Sequence, residues 1–252
     1  MATPTATAPV APNARSLTTM AFEALRADIL LGELRPDERL RIQTLSERYN
    51  IGSTAIREAL SRLVTDGLVE SEEQRGFCVA PVSQEELVDL TQTRIQIEQL
   101  ALRQAVERGD VEWETRILSS FHRLSRTDLP TSVEEHAAWA LAHRQFHESL
   151  VSGCRSEWLM RLCGLLYDKS ERYRNLAEKY RNSSTAVPAS QGRNTADEHQ
   201  QLMEAVMGKD ADLACKILED HFWQTANIIL EAGFGQRESH FSSATGTRKT
   251  TG

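Results

Sequence analysis

The chain has 252 residues, 40% of them hydrophobic and 26% charged, with a formal net charge of −7. That length suits one large or two medium domains, and the acidic balance argues against a general polyanion binder. No apolar run approaches the ~18 residues of a membrane span, the start lacks a charged segment followed by an apolar core, and the four cysteines form no C-x-x-C pair. A cytoplasmic protein with reduced thiols is expected.

Residues 1–15, rich in Ala, Thr and Pro, read as a disordered arm. A helix is expected from about Ser16 to Leu31, stopped by Gly32 with Pro36 beyond. Leu40 to Ala80 then read as a winged helix-turn-helix. Leu45, Tyr49 and Ile51 supply apolar contacts, and Asn50 and Gly52 punctuate a turn. Ser53 is placed to cap a second helix. In that helix Ile56, Leu60, Leu63 and Val64 make an apolar stripe, leaving Ser53, Thr54, Arg57, Ser61 and Arg62 off it. Leu68–Glu70 and Phe77–Ala80 are expected as strands around a wing ending in Arg75-Gly76. A helix with a polar N-terminus behind a short turn is what reading a major groove requires.

The competing reading is an ordinary helical subdomain. Ser16 to Ala80 carries eight Arg, no Lys and eleven Asp or Glu, so a bulk electrostatic footprint is missing. DNA binding would rest on a few arginines drawn from Arg35, Arg39, Arg41, Arg57, Arg62 and Arg75. Gln43, Ser53, Thr54 and Gly76 complete the expected DNA contacts. Few contacts per monomer call for a homodimer on an inverted-repeat DNA operator.

Pro81-Val82-Ser83 reads as a linker, and Ser83 with Glu86 forms a capping box. The next helix runs to about Arg108, with Leu87, Leu90, Ile97, Leu100 and Ala101 expected inside. Further helices are expected at about 111–126, 132–152, 157–180, 195–207 and 211–233, with a Ser/Ala/Pro loop from Arg181 to Gly192. The fold class is mainly α: a winged helix-turn-helix at 16–80, a linker at 81–86, an all-helical bundle at 87–235 for metal binding, effector binding and dimerisation, and a disordered tail at 236–252.

Four of the seven histidines are arranged for chemistry. His143 and His147 are i and i+4 on one helix face. His199 and His221 fall on the last two helices, which a short break allows to pack antiparallel. A bundle interior is a common place for a metal site, and imidazole suits zinc, copper, nickel or iron better than magnesium or calcium. Glu148 and Glu198, each next to a ligand candidate, read either as outer partners or as solvent-facing. Arg144 stands where a zinc protease H-E-x-x-H would have its glutamate, so no hydrolase is expected. A helical-bundle metalloenzyme and a metal-responsive regulator remain as alternatives, the first opposed by the lack of a general base beside an open metal position.

Residues Leu34 to Ala80 resemble the N-terminal domain of GntR-type transcription regulators. The second domain resembles the FCD effector domain of the FadR subfamily, through Arg94-x-x-x-Glu98, Phe146-His147, Glu198-His199 and His221. The resemblance implies a DNA-binding repressor, not an enzyme, that holds a divalent metal and a small carboxylate. Beside a bound metal, Arg94, Arg172 or Arg174 suits two carboxylates, with Glu98 completing the expected effector contacts; the competing reading of these arginines is a solvated helix face with Glu171 and Glu178. Many such domains carry Asp at the position of His143. A neutral imidazole there favours zinc, with nickel second, over manganese. Gly52-Ser53-Thr54-Ala55 also departs from the family's Ser-Arg-Thr-Pro, so one DNA-reading arginine is absent. Trp139 to His147, Gly153-Cys154 and Arg172-Tyr173-Arg174 are similar to the glutarate-responsive branch of the family. That likeness implies a C5 dicarboxylate such as glutarate or 2-hydroxyglutarate.

Overall fold

A computed structural model describes residues 16–72, 76–127, 133–182 and 193–231. The expected arm at 1–15, the tail at 236–252 and the wing-tip residue Arg75 lie outside them, as does the expected loop beyond Asn182. The chain divides between Pro81 and Val82 into two compact units.

The first unit holds α1 (Leu17–Leu30), β1 (Arg39–Leu40), α2 (Ile42–Tyr49), α3 (Ser53–Thr65), β2 (Val69–Glu72) and β3 (Gly76–Val79). Ser16 caps α1, its hydroxyl accepting from the Thr19 N–H. Ala21, Leu25 and Ile29 of α1 are fully buried with Ile56, Leu60 and Leu63 of α3, at helical spacing on both partners. Asn50 turns the chain between α2 and α3 in the left-handed region, at φ 52°, which a short polar side chain tolerates. The strands form an antiparallel sheet in the order β1-β3-β2. The two-residue β1 was not anticipated, being too short to show a period.

Two local expectations are corrected here. Ser53 does not cap α3: Gly52 holds the cap position with no side-chain bond, and Ser53 is the first helical residue. Leu100, expected inside, is 48% exposed. The buried stripe of its helix runs instead through Leu87, Leu90, Thr91, Arg94, Ile95, Glu98, Ala101, Leu102 and Ala105.

The second unit is helical throughout its described residues: α4 (Gln84–Arg108), α5 (Val111–Ser125), α6 (Val133–Val151), a short 3-10 turn, α7 (Glu157–Asn182), α8 (Thr195–Met207) and α9 (Ala211–Ile229). Helix α4 therefore begins inside the stretch 81–86 assigned to the linker. Ser83 caps it, accepting from the Glu86 N–H. Asp110, Asn194 and Asp210 cap α5, α8 and α9 in the same way. The core combines Trp113, Phe146, Leu150, Leu202, Val206, Leu218 and Phe222. Trp113 is fully buried, and its indole N–H donates to the Ser149 carbonyl at 2.9 Å. Its ring lies against two glycines. A Cβ on Gly109 would stand 2.0 Å from the indole, and one on Gly153 3.0 Å from it. No helix among the described residues is long and apolar enough to cross a membrane.

Candidate functional site

Two sites stand out, one on each unit. In the first, Ser53, Thr54, Arg57 and Ser61 are exposed along one side of α3. Because Gly52 has no side chain to cap the helix, the first N–H groups of α3 are left for another acceptor, and a helix N-terminus suits phosphate. Arg41 and Gln43 at the start of α2 are exposed, and so is Gly76 at the base of the wing, with φ +86°. Arg62 is exposed as well, with its guanidinium 4.1 Å over the Phe22 ring of α1. Five residues after Arg57, it sits about 140° further round the helix.

In the second unit His143 and His147 of α6, His199 of α8 and His221 of α9 converge. Each offers a nitrogen, and these four lie within 4.8 Å of one another. All four rings are buried. Burial drives their pKa values down: His221 to about 4, His199 to about 2, and His143 and His147 well below the ordinary value. The neighbouring rings and arginines add to this, so the cluster is neutral at pH 7. Neutral imidazoles are what a divalent ion requires.

The hydrogen bonds left unmade also fit a metal. Both nitrogens of His147 and Nε2 of His199 are buried with no partner, although buried polar groups are almost always paired. His221 Nδ1 lies 2.8 Å from Glu198 Oε2, and a carboxylate can only accept, so that nitrogen carries the proton and Nε2 keeps a lone pair. A histidine held by a carboxylate on its far nitrogen is the usual support of a metal ligand. Burial works to raise the Glu198 pKa, but Arg193 and His221 outweigh it and hold it near 2. Arg193 grips both Glu198 oxygens, at 2.7 and 2.6 Å. Glu148 has a different role, pairing with Arg144, which also reaches Asp168.

Beside the histidines lies a small, partly open cavity, lined by both polar and apolar side chains. Arg94, Arg174, His143 and His221 reach it together with Thr91, Ser170 and Thr225, while Leu87, Phe222 and Ile229 give it an apolar side. Arg94 is held over the Phe222 ring at 3.9 Å, and its Nε donates to Glu98 at 2.6 Å. Its Nη2 is buried without a partner, so one donor is unspent at the cavity. Glu98 does not line the cavity but fixes Arg94. Burial raises the Glu98 pKa, and Arg94 opposes that.

Arg172 is buried, yet does not line the cavity, whereas Arg174 does. Residues two apart on a helix point about 200° from each other, so the two cannot share a face. Sequence reasoning also missed Tyr167 and Arg193. Tyr167 OH lies 3.0 Å from His143 Nδ1. Neither residue is near its histidine in sequence, so no spacing rule could have found it.

Comparison with known proteins fits this geometry. The gntR family of bacterial regulatory proteins matches residues 17–79, and the FCD domain family matches residues 89–223. The chain is 41% identical over 224 residues to the uncharacterized HTH-type transcriptional regulator BphR of Paraburkholderia xenovorans (strain LB400), covering 88% of each. It is 34% identical over 215 residues to the HTH-type transcriptional repressor GlaR of Escherichia coli (strain K12), covering 85% of this chain and 96% of GlaR. The solved structure of E. coli McbR/YncC superimposes with a TM-score of 0.69 at 21% identity, covering 86% of this chain and 99% of that one. These families and relatives are transcription regulators, not enzymes. A GntR helix-turn-helix domain followed by an FCD domain makes this chain a member of the gntR family, a DNA-binding transcription regulator.

Proposed function

We propose that the protein is a homodimeric repressor, released from an inverted-repeat operator by a small carboxylate bound beside a metal ion. The ion is divalent, zinc first and nickel second, and the histidine cluster holds it. When bound, it supplies a positive charge and an open position for a carboxylate oxygen. The effector is a dicarboxylate of about five carbons, such as glutarate or 2-hydroxyglutarate, as the likeness in sequence implies. One carboxylate faces the cluster, and the other meets Arg94 or Arg174, since guanidinium pairs with carboxylate in a two-pronged fashion.

The observation that carries this reading is the set of unspent donors and acceptors in one place. The His147 and His199 nitrogens are buried without partners in the histidine cluster, and Arg94 Nη2 is buried without one at the cavity that His143 and His221 of that cluster line. Each such group costs about 1–3 kcal/mol unless something binds it. Derepression needs an effector that binds two conformations unequally, with operator affinity belonging to the one it disfavours.

Metal analysis of the purified protein comes first, followed by calorimetric titration of glutarate into wild type and His147→Ala. Bound zinc, acid binding in wild type and loss of it in the variant support the reading. Only trace transition metal after zinc loading ends it. A second reading treats the metal as the signal, because four buried imidazoles could close a tetrahedral site. Operator affinity that rises with zinc alone, with no response to any acid, favours that alternative.

A further inference from the structure

His143 differs from the other three histidines in what holds its outer nitrogen. Its Nδ1 lies 3.2 Å from Arg174 Nη1 and 3.0 Å from the Tyr167 hydroxyl. Guanidinium nitrogens carry hydrogens and no available lone pair, so Nδ1 must accept at the Arg174 contact. The tyrosine hydroxyl can donate as readily as it accepts, so it raises no objection. A neutral ring whose Nδ1 accepts has its proton on Nε2.

His221 has an arginine near its Nδ1 as well, with Arg193 Nη2 at 3.1 Å. There the resolution is the opposite. The second neighbour is Glu198, which can only accept, and Arg193 Nη2 is already directed at Glu198 Oε2 at 2.6 Å and at the His221 carbonyl at 3.1 Å. His221 therefore keeps its proton outside and its lone pair inside. His143 keeps its lone pair outside and its proton inside. The inner nitrogen of His143 is thus an N–H donor pointing at the cluster, where its ring centre lies 4.5 Å from that of His147 and 5.1 Å from that of His199. An N–H cannot ligate a metal.

We propose that His143 is the hydrogen-bond donor that receives the effector carboxylate, and that the ion rests on His147, His199 and His221 alone. This assignment rests on the proposed function above and assigns its parts. Three neutral ligands leave the ion its full charge and an open position. A carboxylate there offers one oxygen to the ion and the other to His143 Nε2–H. Arg174 then acts at a distance, because its contact with Nδ1 keeps the proton on the inner side. Stacking of Trp139 on the ring, 4.7 Å between centres at 18°, holds the plane in place.

The test is the protonation pattern of the full-length, zinc-loaded wild-type chain with 15N-labelled histidine, read by long-range 1H–15N correlation. Three rings with a metal-bound nitrogen, and a further ring with its proton on Nε2 that disappears in His143→Gln, are expected. Four metal-bound rings overturn the proposal, and the wild-type spectrum decides this even if a variant fails to fold. In parallel, zinc affinity is measured by chelator competition. His143→Gln should stay near wild type while weakening glutarate binding. His147→Gln should lose more than the roughly 100-fold that an outer partner accounts for. Equal zinc loss in the two variants overturns the assignment. Failure of wild type to take up zinc is a separate result that overturns the proposed function and this inference with it.

Discussion

The exposed side of α3 and the histidine cavity do their work under opposite physical conditions. On α3, Ser53, Thr54, Arg57 and Ser61 stand in water, and each costs the fold nothing in desolvation. In the cluster and the cavity beside it, His147, His199 and Arg94 are withdrawn from water with nitrogens left unpaired. Substitutions in the first region leave the fold's buried contacts alone. In the second, polar groups are held in unfavourable burial, so substitutions there disturb stability together with whatever the site binds.

Acid should separate the two regions most strongly. The folded-state pKa values of His143, His147, His199 and His221 are all depressed by burial. Below the ordinary histidine value of 6.5 the unfolded chain binds protons that the native chain refuses, so stability falls as pH falls. Each histidine contributes up to about 1.4 kcal/mol per pH unit, from about 6.5 down to about 4 for His221 and lower for His199. Urea unfolding of the metal-free protein at pH 7 and 5.5 should show a loss of several kcal/mol. No change across that interval would mean the cluster is not buried and neutral.

Arg94→Met is the next largest. It strands Glu98 in a buried place and should cost about 3–5 kcal/mol. The double variant Arg94→Met with Glu98→Leu should recover most of that stability while still failing to bind glutarate. Recovery of binding in the double variant would remove Arg94 from the cavity's chemistry.

On the exposed side, Arg57→Ala should weaken specific operator binding by about 1–3 kcal/mol if it reads a base, and leave thermal stability close to wild type. Gel shifts and melting curves check both halves. Arg62→Ala reverses that pattern at a smaller scale. Losing its place over Phe22 should lower stability by about 0.5–1 kcal/mol, with operator affinity little changed. A large loss of DNA binding in Arg62→Ala would return that residue to the recognition surface.

Local periodicity explains what was legible in the sequence. The α3 stripe, the Ser83 cap and the His143–His147 pair each depend on spacings of three or four residues, and each is found in the structure. The meeting of α6, α8 and α9 followed from the expectation that the bundle buries its histidines. The misses have equally definite causes. Arg172 and Arg174 were taken together although a helix separates them by about 200°. Ser53 was read as a cap because its type suits one, but the backbone gives that position to Gly52. Tyr167 and Arg193 were invisible because they meet His143 and His221 from 24 and 28 residues away.

Trp113 and its two glycines carry a consequence for how such chains can diverge. Neither Gly109, at φ −66°, nor Gly153 is among the residues of positive φ, so the absence of a side chain answers to the indole rather than to a backbone twist. Three positions separated by up to 44 residues are therefore inherited as one choice. A methyl at Gly109 has no room even with a smaller ring at 113, because it would also meet the Ala105 carbonyl at 2.6 Å. At Gly153 the clash is milder, and a smaller ring at 113 would relieve it. Drift at Gly153 should run through the ring first and the glycine second, with the reverse order passing through an overpacked intermediate, while Gly109 stays fixed.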